Sequence, residues 1–430
     1  MKKTIIFLLL VGLISCNVEE LNTTASPDKA YDELTVSMNE ALEIASSFVS
    51  EKGLIPMTKG ANPSITSSFS IKDKTDEPLL HVINYDGGGY VIISGDMRIM
   101  PIQAYSSFES FDENQDSYPW GLKQWLKATE TVRDSLRKKG DEPQEEVQSA
   151  WMRYKSSYYN PHQGLTKSLD PISMPEEEVD TLVGPLITDS WHQNSPYNDY
   201  ITACLHYQYS EQFETFVPVG LYHPVVGCVP LAIARVLRYN QKPNYYSWSQ
   251  MPNHTNQTSQ TKSFVRDVHY AVKSFADSIG CDFLYLYDNG YISTGVKKSF
   301  PIDTFIREKY GYSSAMMEDY TFSDHYKIRR EMFDHQIPCI LSGTDTILYA
   351  RHTWICDGYH YYFHPVFDPE GELIYGVENC FLHHRWGRVN RQYDGWFCHD
   401  NVSMGQYNLQ DSMQVTRRIS WIDYWDDIIE

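Results

Sequence analysis

Gly227-Cys228-Val229-Pro230-Leu231-Ala232-Ile233-Ala234-Arg235-Val236-Leu237-Arg238-Tyr239 is the stretch on which the reading of this chain turns. Leu231, Ala232, Ile233, Val236 and Leu237 fall at helical spacing, which predicts a helix over 229–239 opening at Gly227-Cys228. Pro230 is preset for a first helical turn, and Gly227 lets backbone or substrate approach closely. A cysteine there sits at the positive end of the helix dipole, which favours its thiolate. Thiolate is the reactive form, so Cys228 stands where a nucleophile would stand. The same pattern also fits a small buried core residue, the commoner fate of a lone cysteine.

A nucleophilic cysteine needs a histidine near it in space. His352 follows 124 residues later, in Arg351-His352-Thr353-Trp354-Ile355-Cys356-Asp357-Gly358-Tyr359. The apolar alternation reads as a strand entering an Asp-Gly turn, a rigid place from which to present an imidazole. With 15 histidines in the chain, spacing alone does not single out this one. Gly227, Val229 and Asp357 are candidates for the wall of a substrate cleft beside the pair.

The rest of the chain sets the frame. Its 430 residues allow about two to three domains. A hydrophobic fraction of 42% and an aromatic fraction of 14% build sizeable cores and argue against global disorder. The formal charge of −20 lacks the basic stripes that phosphate binding needs, so a nucleic-acid partner is disfavoured.

Lys2 and Lys3 followed by an apolar run from Ile5 to Ile14 read as an export signal over residues 1–15, too short to span a bilayer. Leu13-Ile14-Ser15-Cys16 resembles the lipobox of bacterial lipoproteins, which implies acylation of Cys16 and a lipid-held membrane partner. Asn17-Val18-Glu19-Glu20 and the Thr/Ser/Pro stretch after it read as a tether over 16–34. Lipidation leaves seven cysteines, an odd number, so at least one thiol stays unpaired in a monomer, and Cys228 is the best candidate.

Ser37-Met38-Asn39-Glu40 has capping-box spacing before an apolar helical pattern that ends at Gly53. Leu79–Asn84 and Tyr90–Ser94 are strand-like around Asp86-Gly87-Gly88-Gly89, a hairpin signal, and a third strand is expected at 101–105. Leu122, Trp125, Leu126, Val132 and Leu136 form one helical face closed by Gly140. Residues 35–140 therefore read as a small α+β unit. Acidic blocks and weak periodicity over 141–180, with Lys167 inside, read as a linker and processing region. From 181 to 430 helical patterns come first and strands second, an α+β domain with a helical half and an antiparallel β half. His360, His364, His383 and His384 lack a carboxylate or cysteine at zinc spacing, so neither metal nor cofactor is expected. The acidic tail at 423–430 reads as a solvated terminus.

The 227–239 stretch resembles the nucleophile helix of the streptopain-like cysteine peptidases, a papain-like family. Val183-Gly184-Pro185-Leu186 and Trp191-His192-Gln193-Asn194-Ser195-Pro196-Tyr197-Asn198 are similar to the start of that family's mature domain. The segment from Ile337 to Gly343, then His352 and Asp357-Gly358-Tyr359, is similar to the strand pair that holds its catalytic histidine. Residues 80–96 and Ala104-Tyr105-Ser106 look like its propeptide. The resemblance implies a prepro-enzyme, an endopeptidase acting on protein or peptide substrates and inhibited by its own propeptide. It makes Cys228 the nucleophile and His352 the base, and Gln193 the side-chain oxyanion donor.

The family normally carries Asn-Trp-Gly-Trp-Gly-Gly before a second Asp-Gly-aromatic turn. Here Leu382-His383-His384-Arg385-Trp386-Gly387-Arg388 keeps Trp386-Gly387, so Trp386 stays a site candidate, but Arg385 or a neighbouring His stands at the Asn position. Arginine cannot accept a hydrogen bond and so cannot orient an imidazole as an Asn carbonyl does. Two readings follow. One is an exported, lipid-anchored cysteine endopeptidase zymogen working through a thioester acyl-enzyme; the other is a non-catalytic surface lipoprotein that uses the same fold to bind peptide or protein partners.

Overall fold

A computed structural model of the chain describes residues 33–53, 64–108, 110–155, 177–254, 258–288, 291–297, 299–321, 324–344, 351–399 and 413–420. Cys16 with its lipobox, Lys167 and the acidic tail lie outside them. In chain order the N-terminal part holds α1 (Met38–Lys52), β1 (Ile65–Lys72), β2 (Pro78–Tyr85), β3 (Tyr90–Ser94), β4 (Ile102–Ser106), α2 (Trp120–Lys139) and α3 (Glu145–Tyr154). Then come β5 (Val179–Val183), β6 (Cys204–Ser210), β7 (Thr215–Tyr222), α4 (Cys228–Asn240), α5 (Ser259–Ser278), β8 (Phe283–Asp288), β9 (Tyr291–Val296) and α6 (Ile302–Tyr310). The C-terminal part holds β10 (Met316–Tyr320), α7 (His325–Phe333), β11 (Cys339–Thr344), β12 (Arg351–Phe367), β13 (Leu373–Arg385), β14 (Gly395–Cys398) and β15 (Met413–Arg417).

The first helix forms where the capping box puts it. Ser37 Oγ accepts from the Glu40 N–H, the Glu40 carboxylate accepts from the Ser37 N–H, and Gly53 closes the helix at φ 60°. Strands β2 to β4 are apolar on both faces because both faces are covered. Leu80, Val82 and Ile92 pack under α2, while Ile83, Val91 and Ile93 pack under α1 and α3. One sheet then runs through the whole molecule in the order β1-β2-β3-β4-β14-β13-β12-β11-β15-β10. The junction is β4 against β14, where Tyr105 faces Trp396 and Ala104 faces Phe397. Trp125 of α2 donates its indole N–H to the Cys398 carbonyl at 3.0 Å and locks the same seam.

The helical half packs α4 and α5 into a separate core with α6. All nine residues Val229–Leu237 of α4 are buried, so this helix is wrapped on every side rather than along one stripe. Mixed helices with antiparallel sheet, an N-terminal α+β unit and a two-part C-terminal domain are the architecture the sequence implies.

Two expectations need correcting. The 141–180 region is not all linker, since α3 buries Val147, Ala150, Trp151 and Tyr154, and Trp151 donates to the Ile99 carbonyl at 2.9 Å. That i, i+3, i+4, i+7 pattern was present but lay among acidic residues. Asp357-Gly358 is not a turn either; β12 runs on for 17 residues, and the pair is a bulge between Cys356 and Gly358. The bulge lets β12 exchange one neighbour, β11, for another, β5.

Because the N-terminal unit shares a sheet and two cores with the rest, cutting the chain within 156–176 should not release it. We expect the 33–155 fragment to co-elute with the remainder on size exclusion without denaturant; two separate peaks would contradict this packing.

Candidate active site

Residues 225–227, just ahead of the cysteine, are held by three side contacts. Thr294 Oγ1 donates to the Val225 carbonyl at 2.8 Å, His269 Nδ1 meets the Val226 carbonyl at 2.8 Å, and the Val226 N–H donates to the Gln193 carbonyl at 2.9 Å. Gly227 then turns at φ 93°, a conformation that favours glycine, and a Cβ there would press on Thr294 Cγ2 at 3.1 Å. Gly227 thus serves the turn. Cys228 is the first helical residue, half-buried at the positive helix end. Val229 is fully buried in the helical core, so it is not a cleft residue.

Gln193, Cys228, Leu231, Ala232, Arg235, Thr353, Trp354, Ile355, Arg385, Trp386 and Gly387 line one cavity. The structure therefore brings Cys228, Gln193 and Trp386 together. His352 is not among the lining residues; it immediately precedes three of them on β12. Its imidazole is stacked on the indole of Trp120, with ring centroids 5.3 Å apart and planes at 7°. Trp120 is the first residue of α2, in the N-terminal unit. Two glycines make its seat. A Cβ at Gly343, the β11 partner of His352, would strike Trp120 Cζ3 at 2.0 Å, and a Cβ at Gly121 would strike Trp386 Cζ3 at 2.5 Å. The N-terminus of α2 is thus wedged onto His352, Trp354 and Trp386. Sequence reading missed Trp120, whose signal was an aromatic off the apolar stripe of its own helix.

Under the cavity lies a buried ionic cluster. Arg235 Nε donates to Asp189 Oδ1 at 2.8 Å, Arg385 Nη1 to the Asp189 carbonyl at 2.6 Å, and Arg385 Nε pairs with Asp357 Oδ2 at 2.9 Å. Asp357 Oδ1 also meets His383 Nδ1 at 2.6 Å, and Asp357 Oδ2 accepts from the Ile187 N–H at 3.0 Å. Asp357 is fully buried and is a structural anchor, not part of a substrate cleft. Burial opposes its charge, but Arg385 and His383 outweigh burial and hold the carboxyl below the usual range. Asp394, which accepts from the Trp386 N–H at 2.9 Å, is pushed up by burial despite Arg385 and Arg235. Removing one member of such a buried pair typically costs about 3–5 kcal/mol. Arg235 had a legible signal: a charge inside an apolar run, seven residues after Cys228 on the same helix face.

His360 and His384 have structural partners. His360 bridges Tyr105 and Asp180, the latter at 2.7 Å. His384 accepts from Trp354 Nε1 at 3.2 Å and meets His399 Nε2 at 2.8 Å. None of the seven described cysteines, Cys228 among them, is in a disulfide. Parity therefore does not distinguish Cys228; its position does.

Residues 241–397 match the Peptidase C10 family and residues 33–132 match the Spi protease inhibitor family. The first match contains His352 and Trp386 and starts after Cys228. A solved structure of a prointerpain A fragment from Prevotella intermedia, a mutant form, superposes with a TM-score of 0.51 at 18% identity. The alignment covers 82% of this chain and 98% of that one, and shows a common fold. No curated protein matches the chain significantly. A papain-like domain behind an inhibitor-type propeptide is the architecture of a cysteine peptidase zymogen. The chain carries a C10 peptidase domain, of the streptopain family, preceded by a Spi-type propeptide domain, and is a cysteine-type peptidase.

His192 and His269 flank the Gln193 and Cys228 segments, and both are pulled down to about 4: burial drives both, and the Arg235 charge adds to it at His192. Both are therefore neutral in the folded chain and titrate near 6.5 when unfolded. Protonation favours the unfolded state, so stability is full above about pH 6.5 and falls as pH drops toward about 4. Urea midpoints across that window should fall less steeply in His269→Gln than in the parent; parallel slopes would contradict it.

Proposed function

We propose that this chain is an exported, lipid-anchored zymogen of a cysteine endopeptidase, with Cys228 as nucleophile and His352 as base. The observation that carries the reading is the shared cavity of Cys228, Gln193 and Trp386 at the dipole-positive end of α4. Cys228 attacks a substrate carbonyl as thiolate, and His352 holds the thiolate and then protonates the leaving amine. The bond from sulfur to the acyl carbon forms a thioester, which water later cleaves. The Gln193 amide and the Cys228 N–H face the developing oxyanion, where one donor is typically worth about 3 kcal/mol.

Latency follows from the wedge. Trp120 occupies the imidazole face of His352, so the N-terminal unit acts as an intramolecular inhibitor by capturing the base. Removal of the unit after cleavage in the 156–176 region uncovers the ring. Arg385 is committed to Asp357 and Asp189, so the orienting role an Asn would play is not supplied from that position. Lipid anchoring rests on the Leu13-Ile14-Ser15-Cys16 motif and places the enzyme at a membrane surface. Among the described residues no helix is long and apolar enough to cross a membrane.

Cys228→Ala and His352→Ala should each abolish casein hydrolysis by the activated protein. Unchanged hydrolysis by Cys228→Ala protein would end the proposal. Trp120→Ala should leave the fold intact and give the uncleaved chain measurable hydrolysis; a variant as silent as the parent would contradict the wedge.

A further inference from the structure

Strands β6 and β7 form a two-stranded sheet of their own, antiparallel from Cys204 opposite Tyr222 to Ser210 opposite Thr215. Among the described residues neither outer edge has a strand partner. The hairpin is also unusually apolar for its exposure. Leu205, Tyr209, Phe213, Phe216 and Leu221 are all exposed, Phe216 at 66% and Leu221 at 67%. A contiguous cluster of this kind marks an interaction surface, because leaving it in water is unfavourable.

Three observations choose the partner. Open strand edges offer a row of N–H and C=O groups that fit an extended polypeptide. Within 204–222 the charged residues are Glu211 and Glu214, with no Lys or Arg, which does not suit anionic lipid headgroups. Only residues 223–227 separate the hairpin from Cys228, and 225–227 are pinned by the Thr294, His269 and Gln193 contacts. The base of the hairpin, held further by Asn198 on the His223 and Pro224 carbonyls and by Tyr270 on the Thr202 N–H, is therefore kept close to the candidate nucleophile. We propose that the β6–β7 hairpin is a substrate-docking element that takes an extended, apolar stretch of a protein substrate by strand addition and side-chain contact, and so delivers the scissile bond to the cavity. This rests on the reading of Cys228 as the nucleophile.

The test compares a protein substrate with a short one too small to reach the hairpin, on the active protein, cut within 156–176 and freed of its N-terminal unit. Phe213→Ser with Phe216→Ser, and separately Leu221→Ser, remove exposed side chains that support no core. We expect kcat/KM on casein to fall roughly tenfold, as loss of an apolar anchor does, while hydrolysis of a short fluorogenic peptide is unchanged. Equal effects on both substrates, or none on either, would overturn the proposal. So would variants that lose binding to anionic vesicles yet cleave casein normally. Failure of the underlying reading shows separately, as short-peptide hydrolysis by Cys228→Ala protein.

Discussion

Arg235 and Arg385, both buried, meet across the floor of the cavity through one residue, Asp189, whose carboxylate takes the first and whose carbonyl takes the second. Arg235 belongs to the nucleophile helix and Arg385 to the end of β13, so this contact fixes how the helical half sits on the sheet. Asp357 and His383 extend it along β12 and β13. Buried charge is stable only when paired, which makes the arrangement all-or-none rather than adjustable. The position of Cys228 relative to Gln193, Trp386 and the β12 strand follows from that constraint. Arg385 itself is part of that scaffold, held between Asp357 and Asp189.

The N-terminal unit exploits the same rigidity. It continues the sheet through β4 and β14 and so approaches the site on a fixed path, which delivers Trp120 to the ring of His352. Gly121 and Gly343 show that the contact is close-packed, since neither has room for a methyl group. An aromatic face against an imidazole is a modest attraction, about 1 kcal/mol beyond its buried area. Its position is set by the sheet, the shared cores and Trp125 behind it.

Much of this was legible in the chain. The capping box at Ser37, the 3.6-residue pattern after Cys228 and the β12 alternation each have a local physical cause, and each element formed. What escaped were features set by distant partners. Val229 and Asp357 read as cleft residues because neighbours of a nucleophile and a base look accessible in sequence; burial by α5 and pairing with Arg385 are decided in three dimensions. Asp357-Gly358 carries turn chemistry, yet pairing with both β11 and β5 makes it a bulge inside a long strand. Trp120 escaped for the same reason: an aromatic off its helix's apolar stripe does not say what it meets, and its contact lies on another unit of the fold.

The account stands on Cys228 being an activated thiol whose base, His352, is covered by Trp120 of the N-terminal unit. The most direct measurement is the rate of Cys228 alkylation by iodoacetamide as a function of pH, on the intact chain and after removal of residues 33–155. The account predicts that removal raises the neutral-pH rate and moves the rate profile to lower pH, as a cysteine paired with an imidazolium requires. Identical profiles in both forms, each matching a free thiol that ionises near about 8.5, would contradict it.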